Sequence, residues 1–226
     1  MALPHSRAMR PALFTFDIFG TVIDWRRGLM DAARARGAAM DDAAFDRVID
    51  AQGKAEQGPY RPYAEIVAES LIQVLGMEPA GAREIGATAG EWPLYPDSRE
   101  ALRRLMRIAR CVATTNSDRA HGEQVQAQLG FRLNDWICAE DLRIYKPDIR
   151  VWRLAAERLG ARPGSHWWHV SAYGDYDLET AQRMGLACVY VARPHARPGP
   201  ADVPVTDLAQ LADIAEHLTR PGAGSG

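Results

Sequence analysis

Short apolar segments alternate with longer amphipathic segments along most of the chain. The apolar segments are rich in β-branched and aromatic residues, and each is followed by a polar turn, so they predict buried strands. They are LFTF (13–16), CVATT (111–115), WICA (136–139), WWHVSA (167–172) and ACVYVA (187–192). The segments that follow them mostly place apolar residues three and four positions apart, which predicts helices. Alternation of this kind predicts a parallel sheet with helices on both faces.

The interval between the first and second predicted strands departs from this alternation. It contains helical patterns and no convincing strand, so residues 26–92 predict a helical insertion, and the chain rejoins the sheet at PLYPDS (93–98). The sequence therefore predicts an α/β fold, a Rossmann-like doubly wound parallel sheet of about five strands, whose core consists of residues 1–25 and 93–226. The final RPGAGSG (220–226) is biased enough in composition to predict a disordered tail.

Composition narrows the classes of protein. The 226 residues are 47% hydrophobic and 25% charged, which suits either one soluble domain or a domain with a sizeable insertion. A formal net charge of −2, without a basic stripe, argues against nucleic-acid binding. The N-terminal MALPHSRAMRPAL lacks the apolar stretch of a signal peptide, and no segment reaches the roughly 18 apolar residues of a membrane span. The 3 cysteines lie in apolar segments, and their odd number argues against a disulfide framework and for a reducing cytoplasm.

Polar side chains follow four of the predicted strands. The carboxyl ends of parallel strands share one edge, and ligands bind there at the point where the strand order reverses. Each polar residue also has a structural explanation, as a turn residue, a helix cap or a solvated helix start, but four strand ends that offer such groups together favour a binding crevice. The residues are Asp17 after the first strand, Thr115 and Asn116 after the second, Lys146 at the start of the helix after the third, and Ser171, Asp175 and Asp177 after the fourth.

Four motifs in this order resemble those of a known superfamily. FDIFGTVIDW (16–25), TTNSD (114–118), IYKPD (144–148) and HVSAYGDYDLETAQRMG (169–185) are similar to the motifs of the haloacid dehalogenase superfamily. FDxxGTxxDW together with YKP most resembles its L-2-haloacid dehalogenase branch. The resemblance covers about residues 11–195, and it implies that the helical insertion is a cap that closes over the substrate.

The resemblance also implies roles for the polar residues. Asp17 would be the nucleophile, whose carboxylate attacks an electrophilic carbon to form an ester that water then hydrolyses. Lys146 would keep Asp17 ionised by lowering its pKa, and it would neutralise the negative end of the substrate. Thr115 and Asn116 would hydrogen-bond the nucleophile or the substrate carboxylate. Thr21 would fix the loop that carries Asp17.

Two departures favour the dehalogenase branch over the magnesium-dependent phosphatases of the superfamily. The phosphatases carry a second aspartate two residues after the nucleophile, which protonates the leaving group, whereas this chain has Phe19. A halide leaves carbon as a stable anion and needs no proton donor, unlike an alkoxide. The fourth motif of the phosphatases begins with Gly-Asp, and here Ser171 and Ala172 hold those places. One magnesium ligand is therefore missing, although Asp175 or Asp177 could still reach the site. We predict no cofactor, with magnesium as the cofactor only if the phosphatase alternative holds.

Several other positions have no direct match in the dehalogenase pattern. Asp177 is the candidate for orienting the hydrolytic water, and Asp175 is the runner-up because this loop is one residue longer than the dehalogenase pattern. Trp152 replaces a tyrosine and Tyr173 an asparagine, so the roles of those two side chains do not carry over. Arg61 is the best-placed cap arginine for the leaving halide, with a solvated surface role as the alternative.

The leading prediction is a cytoplasmic hydrolase that cleaves the carbon–halogen bond of small 2-haloacids through an aspartyl ester. A magnesium-dependent phosphatase of the same fold and a non-catalytic ligand-binding protein are the alternatives. We predict a small-molecule partner, with no nucleic acid and no membrane, and a homodimer through an exposed apolar cap helix stays open. The predicted catalytic residues are Asp17, Thr115, Lys146 and Asp177, and the predicted substrate-binding residues are Thr21, Phe19, Asn116, Ser171, Tyr173 and Arg61.

Overall fold

A parallel sheet forms the centre of the protein. The computed structural model describes residues 10–220, so the predictions about segments 1–9 and 221–226 lie outside the described residues. The strands are β1 Leu13–Phe16, β2 Arg110–Thr115, β3 Asp135–Cys138, β4 Trp167–Ser171, β5 Ala187–Val191 and β6 Val203–Val205. Their order in the sheet is β3-β2-β1-β4-β5-β6, and all neighbouring pairs are parallel.

Strand β1 lies where the strand order reverses. It pairs with β2 on one side and β4 on the other, so that Phe16 is opposite both Ala113 and Val170. Every residue of β1 is buried, as expected for a strand whose two faces are both covered by helices. The reversal places the carboxyl ends of β1, β2 and β4 around one crevice.

The predicted fold class is confirmed, and the five predicted strands agree with the structure to within one residue at each end. Strand β6 was not predicted. It has only 3 residues, and Pro204 in its middle cannot donate a hydrogen bond to a ladder. Proline is tolerated there because β6 is an edge strand whose one neighbour is β5.

Helices occupy the whole interval between β1 and the return of the chain to the sheet, and they form the helical cap. They are α1 Trp25–Ala35, α2 Asp42–Ala55, α3 Tyr63–Leu75 and α4 Pro79–Ala87, followed by a 3₁₀ turn at Ala89–Glu91. Helices α3 and α4 approach closely at Gly86, where an added Cβ would lie 2.1 Å from the carbonyl oxygen of Ala64. Leu29 and Phe45 of the cap belong to the same buried apolar cluster as Phe16 of β1, so cap and sheet share one core.

The N-terminus of α3 receives its cap from outside the helical insertion. Its own N-cap residue, Pro62, makes no side-chain capping bond. Instead the Asp118 carboxylate accepts hydrogen bonds from the backbone N–H groups of Tyr63, at 2.8 Å, and Ala64, at 2.9 Å. A carboxylate that binds these otherwise unpaired amides stabilises the helix and ties it to the sheet domain.

The remaining helices lie in the part of the chain that contains strands β2 to β6. They are α5 Ser98–Met106, α6 Arg119–Leu129, α7 Ala139–Leu142, α8 Ile149–Leu159, α9 Glu179–Arg183 and α10 Leu208–Thr219, with a π-helical turn at Gly174–Leu178 before α9. Gly160 and Gly185, which follow the ends of α8 and α9, both have left-handed backbone conformations, with φ of +59° and +76°. From residue 10 to residue 220, no helix combines the length and apolar character that crossing a bilayer requires.

Candidate active site

A cavity of about 400 Å³ lies at the crevice where the strand order reverses. The cap helices and the carboxyl edge of the sheet both line it, and its size is typical of sites that bind small molecules. The lining includes Asp17, Phe19, Glu56, Thr115, Asn116 and Lys146. The structure therefore brings together most of the polar residues that the strand-end argument predicted.

Asp17 follows β1 directly and is held by two neighbours. Thr21 donates a hydrogen bond of 2.7 Å to Asp17 Oδ2, and the Nζ atom of Lys146 lies 3.0 Å from Asp17 Oδ1. The Thr21 hydroxyl in turn accepts a hydrogen bond of 2.9 Å from the backbone N–H of Ala172. Thr21 thus holds the carboxylate and does not line the cavity, which corrects its place among the predicted substrate-binding residues.

Lys146 lies in a loop and not at the start of a helix, which corrects the prediction. Helix α8 begins at Ile149, and Pro147 disfavours the helical conformation for the residue before it. The side chain of Asn116 holds the loop, since its Oδ1 accepts from the Lys146 N–H at 2.7 Å and its Nδ2 donates to the Lys146 carbonyl at 3.1 Å. Asn116 therefore positions the lysine backbone.

Asp177, and not Asp175, reaches the cluster. The Nζ atom of Lys146 donates a hydrogen bond of 2.8 Å to Asp177 Oδ2, whereas Asp175 is exposed. The residues that precede α9 form the π-helical turn, and such a turn holds one residue more than an α-helical turn. This turn explains how a loop one residue longer than the dehalogenase pattern still delivers a carboxylate to Lys146.

His169 supports Asp177 from the far side, and the sequence analysis did not single it out. The Thr15 hydroxyl accepts a hydrogen bond from Trp167 Nε1 at 2.8 Å and lies 2.8 Å from His169 Nδ1. The Thr15 hydroxyl can therefore donate its own proton to Nδ1. Nδ1 is then the acceptor and the other ring nitrogen, Nε2, carries the ring proton. Nε2 lies 3.1 Å from Asp177 Oδ2. A histidine inside an otherwise apolar buried strand was the signal that could have identified it.

Two buried carboxylates share one ammonium group in this cluster. Burial lowers the pKa of Lys146, but Asp17 and Asp177 outweigh it, and the net pKa lies above the usual value. Burial would raise the pKa of Asp177, but Lys146 and His169 hold it at about 2. For Asp17, burial raises the pKa, Lys146 lowers it and Asp177 raises it again, with a net rise. The prediction that Lys146 depresses the pKa of Asp17 therefore names a real contribution, but burial outweighs it.

Two other predicted residues at the strand ends differ in their access to the cavity. Thr115 lines the cavity, and its hydroxyl donates to Ser117 Oγ at 3.2 Å rather than to Asp17. Ser171 is fully buried and its Oγ accepts a hydrogen bond of 3.0 Å from the backbone N–H of Tyr173. Ser171 does not border the cavity, so its predicted contact with substrate is corrected to a contact that shapes its own loop.

Aromatic side chains form the apolar part of the cavity wall. Phe19 packs against Tyr63 of the cap, with ring centroids 5.5 Å apart, and against Trp92 at 5.9 Å. Tyr173 also lines the cavity, and its ring lies over Gly20, where an added Cβ would be 2.5 Å from the ring. Gly20 also has a φ of +92°, so a side chain there would be strained as well as obstructed.

Arg61 does not face the cavity, which corrects its predicted role at the leaving halide. Its guanidinium is paired with Glu65 and Glu69 on the cap surface, since these carboxylates lie in the first and second turns of α3. A different arginine, Arg197 in the loop after β5, lines the cavity. Its Nη2 atom lies 3.5 Å from Asp50 Oδ1 on the cap helix α2. No periodic pattern in its Pro- and Gly-rich segment pointed to this placement.

Glu56, just after the end of α2, is a second carboxyl group in the cavity wall that the sequence analysis missed. Its Oε2 atom accepts hydrogen bonds from Asn116 Nδ2 at 2.8 Å and from the Tyr176 hydroxyl at 3.3 Å. Burial raises the pKa of Glu56 to about 7, although hydrogen bonds from Asn116 and the charge of Lys146 partly oppose the rise. Its position depends on the packing of cap on sheet, which leaves no local trace in the sequence.

An ammonium group lies between the two carboxylates that a metal ion would use at this edge of the sheet. Lys146 Nζ lies between the carboxylates of Asp17 and Asp177, and a second cation there would compete with the ammonium. Within residues 10–220, three or more His, Cys, Asp or Glu side chains are nowhere grouped so as to hold a metal ion. Phe19 and Ala172 contribute no oxygen ligand from their side chains.

Comparison with known proteins identifies the family. A family model described as haloacid dehalogenase-like hydrolase matches residues 11–185, so the chain belongs to this family of hydrolases. It is similar to (S)-2-haloacid dehalogenase 4A of Burkholderia cepacia, with 25% identity over 187 residues that cover 74% of this chain and 80% of that enzyme. The predicted resemblance to the L-2-haloacid dehalogenase branch is confirmed.

Solved structures of the same branch share the fold. The defluorinating L-2-haloacid dehalogenase Rha0230 has 24% identity and a TM-score of 0.78, covering 91% of this chain and 95% of that one. The L-2-haloacid dehalogenase of Xanthobacter autotrophicus with chloropropionic acid covalently bound has 19% identity and a TM-score of 0.77, covering 91% of this chain and 98% of that one.

Proposed function

We propose that the protein hydrolyses small (S)-2-haloacids to 2-hydroxyacids through an ester on Asp17. The observation that carries the proposal is the placement of Asp17 at the cavity wall, where Thr21 and Lys146 hold its carboxylate. The similarity to (S)-2-haloacid dehalogenases supports this substrate class. Residues 26–92 would act as the cap domain, and 1–25 with 93–226 as the catalytic domain.

The first step forms the ester. A carboxylate oxygen of Asp17 attacks the carbon that bears the halogen, the carbon–halogen bond breaks, and the halide leaves with the electron pair. Lys146 holds Asp17 in place. Thr115 and Arg197 border the cavity, and the Arg197 guanidinium is the donor for the substrate carboxylate. Asp177 supports the step indirectly, because it binds the ammonium group of Lys146.

The second step hydrolyses the ester. Water attacks the carboxyl carbon of Asp17, the bond from that carbon to the ester oxygen breaks, and the 2-hydroxyacid leaves with an oxygen that came from Asp17. One oxygen of the restored carboxylate therefore comes from water. The aromatic wall around Phe19 and Tyr63 keeps bulk water away from the ester in a largely apolar enclosure.

Phe19 supports dehalogenation over phosphate transfer. It packs under the cap between Tyr63 and Trp92, in the position from which a phosphatase aspartate would protonate its leaving group. A halide needs no such proton. Lys146 supplies the positive charge near the nucleophile that a phosphatase obtains from magnesium.

The test is a halide-release assay over a panel that includes (S)-2-chloropropionate, its (R) enantiomer and chloroacetate, beside a phosphate-release panel. Both are run with a chelator and with added magnesium. We expect halide release in the chelator, preference for the (S) enantiomer, and no phosphate release. A single turnover in heavy-oxygen water should label the Asp17 peptide.

The opposite results would point to the alternatives. Phosphate release that disappears in the chelator would establish a phosphatase and overturn the proposal. Binding of haloacids without release of halide would establish a non-catalytic binding protein.

A further inference from the structure

The hydrolysis of the ester requires a group that accepts a proton from water, and Asp177 is poorly placed for this. Its side chain is fully buried, and it does not border the cavity. Its Oδ2 atom already contacts both Lys146, at 2.8 Å, and His169, at 3.1 Å, and its Oδ1 atom, which has no hydrogen-bond partner among residues 10–220, is buried away from the cavity. These two contacts hold Asp177 ionised with a pKa of about 2, and a carboxylate that holds its charge so firmly is a weak base.

Glu56, unlike Asp177, borders the cavity. It lines the cavity together with Asp17. Asn116 donates to its Oε2 atom at 2.8 Å, and the Tyr176 hydroxyl lies 3.3 Å from the same atom while it donates to the Lys146 carbonyl at 2.7 Å. These contacts fix the carboxyl group, and Oε1 has no hydrogen-bond partner among residues 10–220. One oxygen is thus anchored, and the other is available to a molecule in the cavity.

The surroundings of Glu56 bring its pKa close to neutral pH, where it can accept and return a proton. Burial raises its pKa to about 7, and the best pKa for a general base lies near the working pH. Groups from several elements face it: the titratable or charged neighbours are Asp17, Tyr63, Tyr145, Lys146 and Tyr176. Burial keeps the pKa values of all three tyrosines above the usual range, so they remain neutral while Glu56 titrates.

Building on the proposed function, we infer that Glu56 of the cap is the general base that hydrolyses the Asp17 ester. A water between Glu56 Oε1 and the ester gives one proton to Glu56 as its oxygen bonds to the carboxyl carbon of Asp17. The tetrahedral intermediate collapses, the carbon–oxygen bond to the product breaks, and Glu56 returns the proton to the departing 2-hydroxyacid oxygen. The second water proton leaves Asp17 for solvent as its carboxylate re-forms, so the atoms balance.

The test is a rapid-quench experiment on Glu56→Gln with (S)-2-chloropropionate. Glutamine keeps the shape and the contacts with Asn116 and Tyr176 but cannot accept the proton. We expect one equivalent of chloride per enzyme at the wild-type rate, followed by turnover slowed roughly a hundredfold or more. Intact-protein mass spectrometry should show the ester accumulating on Asp17.

The pH profile and a matched variant complete the design. In the wild type, the rate of ester hydrolysis should rise through about pH 7, and Glu56→Gln should lose this rise. The control is Glu69→Gln, which makes the same change of charge on an exposed cap residue paired with Arg61, and which should behave as the wild type.

Three other outcomes would contradict either the role of Glu56 or the proposed function. Equal rates of chloride and 2-hydroxyacid release in Glu56→Gln and wild type would overturn the role of Glu56. A slower chloride burst without accumulated ester would assign Glu56 to substrate binding or the first step, and would also overturn it. If the wild type itself releases no chloride, the proposed function fails first, and the inference fails with it.

Discussion

Glu56→Gln should make the stability of the protein less sensitive to alkaline pH. The wild-type carboxyl group titrates at about 7 in the folded protein, against 4.5 for an unburied glutamate. Because the folded state binds this proton more tightly, the free energy of unfolding falls as the pH rises from below 4.5 through 7. The loss is on the order of 3 kcal/mol in full, with roughly 2 to 3 kcal/mol of it between pH 5 and 9.

Urea unfolding at a series of pH values measures this effect without reference to catalysis. Glutamine has no charge to desolvate, so the variant should gain stability relative to the wild type as the pH increases. Glu69→Gln is the matched control: the hydrogen bond from Arg61 lowers the pKa of the exposed Glu69, so any pH dependence there has the opposite sign. If the difference in stability between Glu56→Gln and wild type is the same at pH 5 and pH 9, Glu56 ionises as a solvated residue and the reasoning fails.

Five further substitutions, at four positions, test the site. Asp17→Asn should fold and retain its melting temperature, because the amide has nearly the same shape, but it should show no turnover and no ester; measurable turnover would remove Asp17 as nucleophile. Lys146→Ala should lower kcat/KM more than tenfold, or over about 1.4 kcal/mol, and Lys146→Arg should restore little because a planar guanidinium does not fit the place of a compact ammonium. Arg197→Ala should raise KM for the haloacid roughly tenfold through the loss of a charged donor, whereas Arg61→Ala should leave the kinetics unchanged; the reverse pattern would return the anion-binding role to Arg61.

The sequence predicted those parts of the molecule that follow from local pattern and strand-end geometry. The apolar strands and the meeting of Asp17, Thr115 and Lys146 at one edge needed only the rule for parallel sheets. Strand β6 escaped prediction because it is short and contains Pro204, and the helix placed at Lys146 was wrong because Pro147 prevents it.

The parts that escaped prediction depend on contacts between distant segments. Glu56 and Arg197 reach the cavity through the packing of the cap and of a long loop, and no periodicity encodes this packing. The direction of Arg61 was set by a local competition, since Glu65 and Glu69 on α3 offered it partners away from the cavity. The sequence shows that an arginine is present in the cap, but the nearest carboxylates in the folded structure decide where its guanidinium points.

The π-helical turn at Gly174–Leu178 shows how an active site tolerates a change in chain length. An added residue that widens one helical turn is absorbed where it occurs, so β4 before it and α9 after it keep their places. The loop after β4, which the sequence predicts to be one residue longer than the dehalogenase pattern, places Asp177 beside Lys146. Among relatives of this protein, equivalent carboxylates are therefore better recognised by their distance from the lysine than by counting along an alignment. Short insertions at this turn can change the sequence of the site while the carboxylates of Asp17 and Asp177 stay beside Lys146.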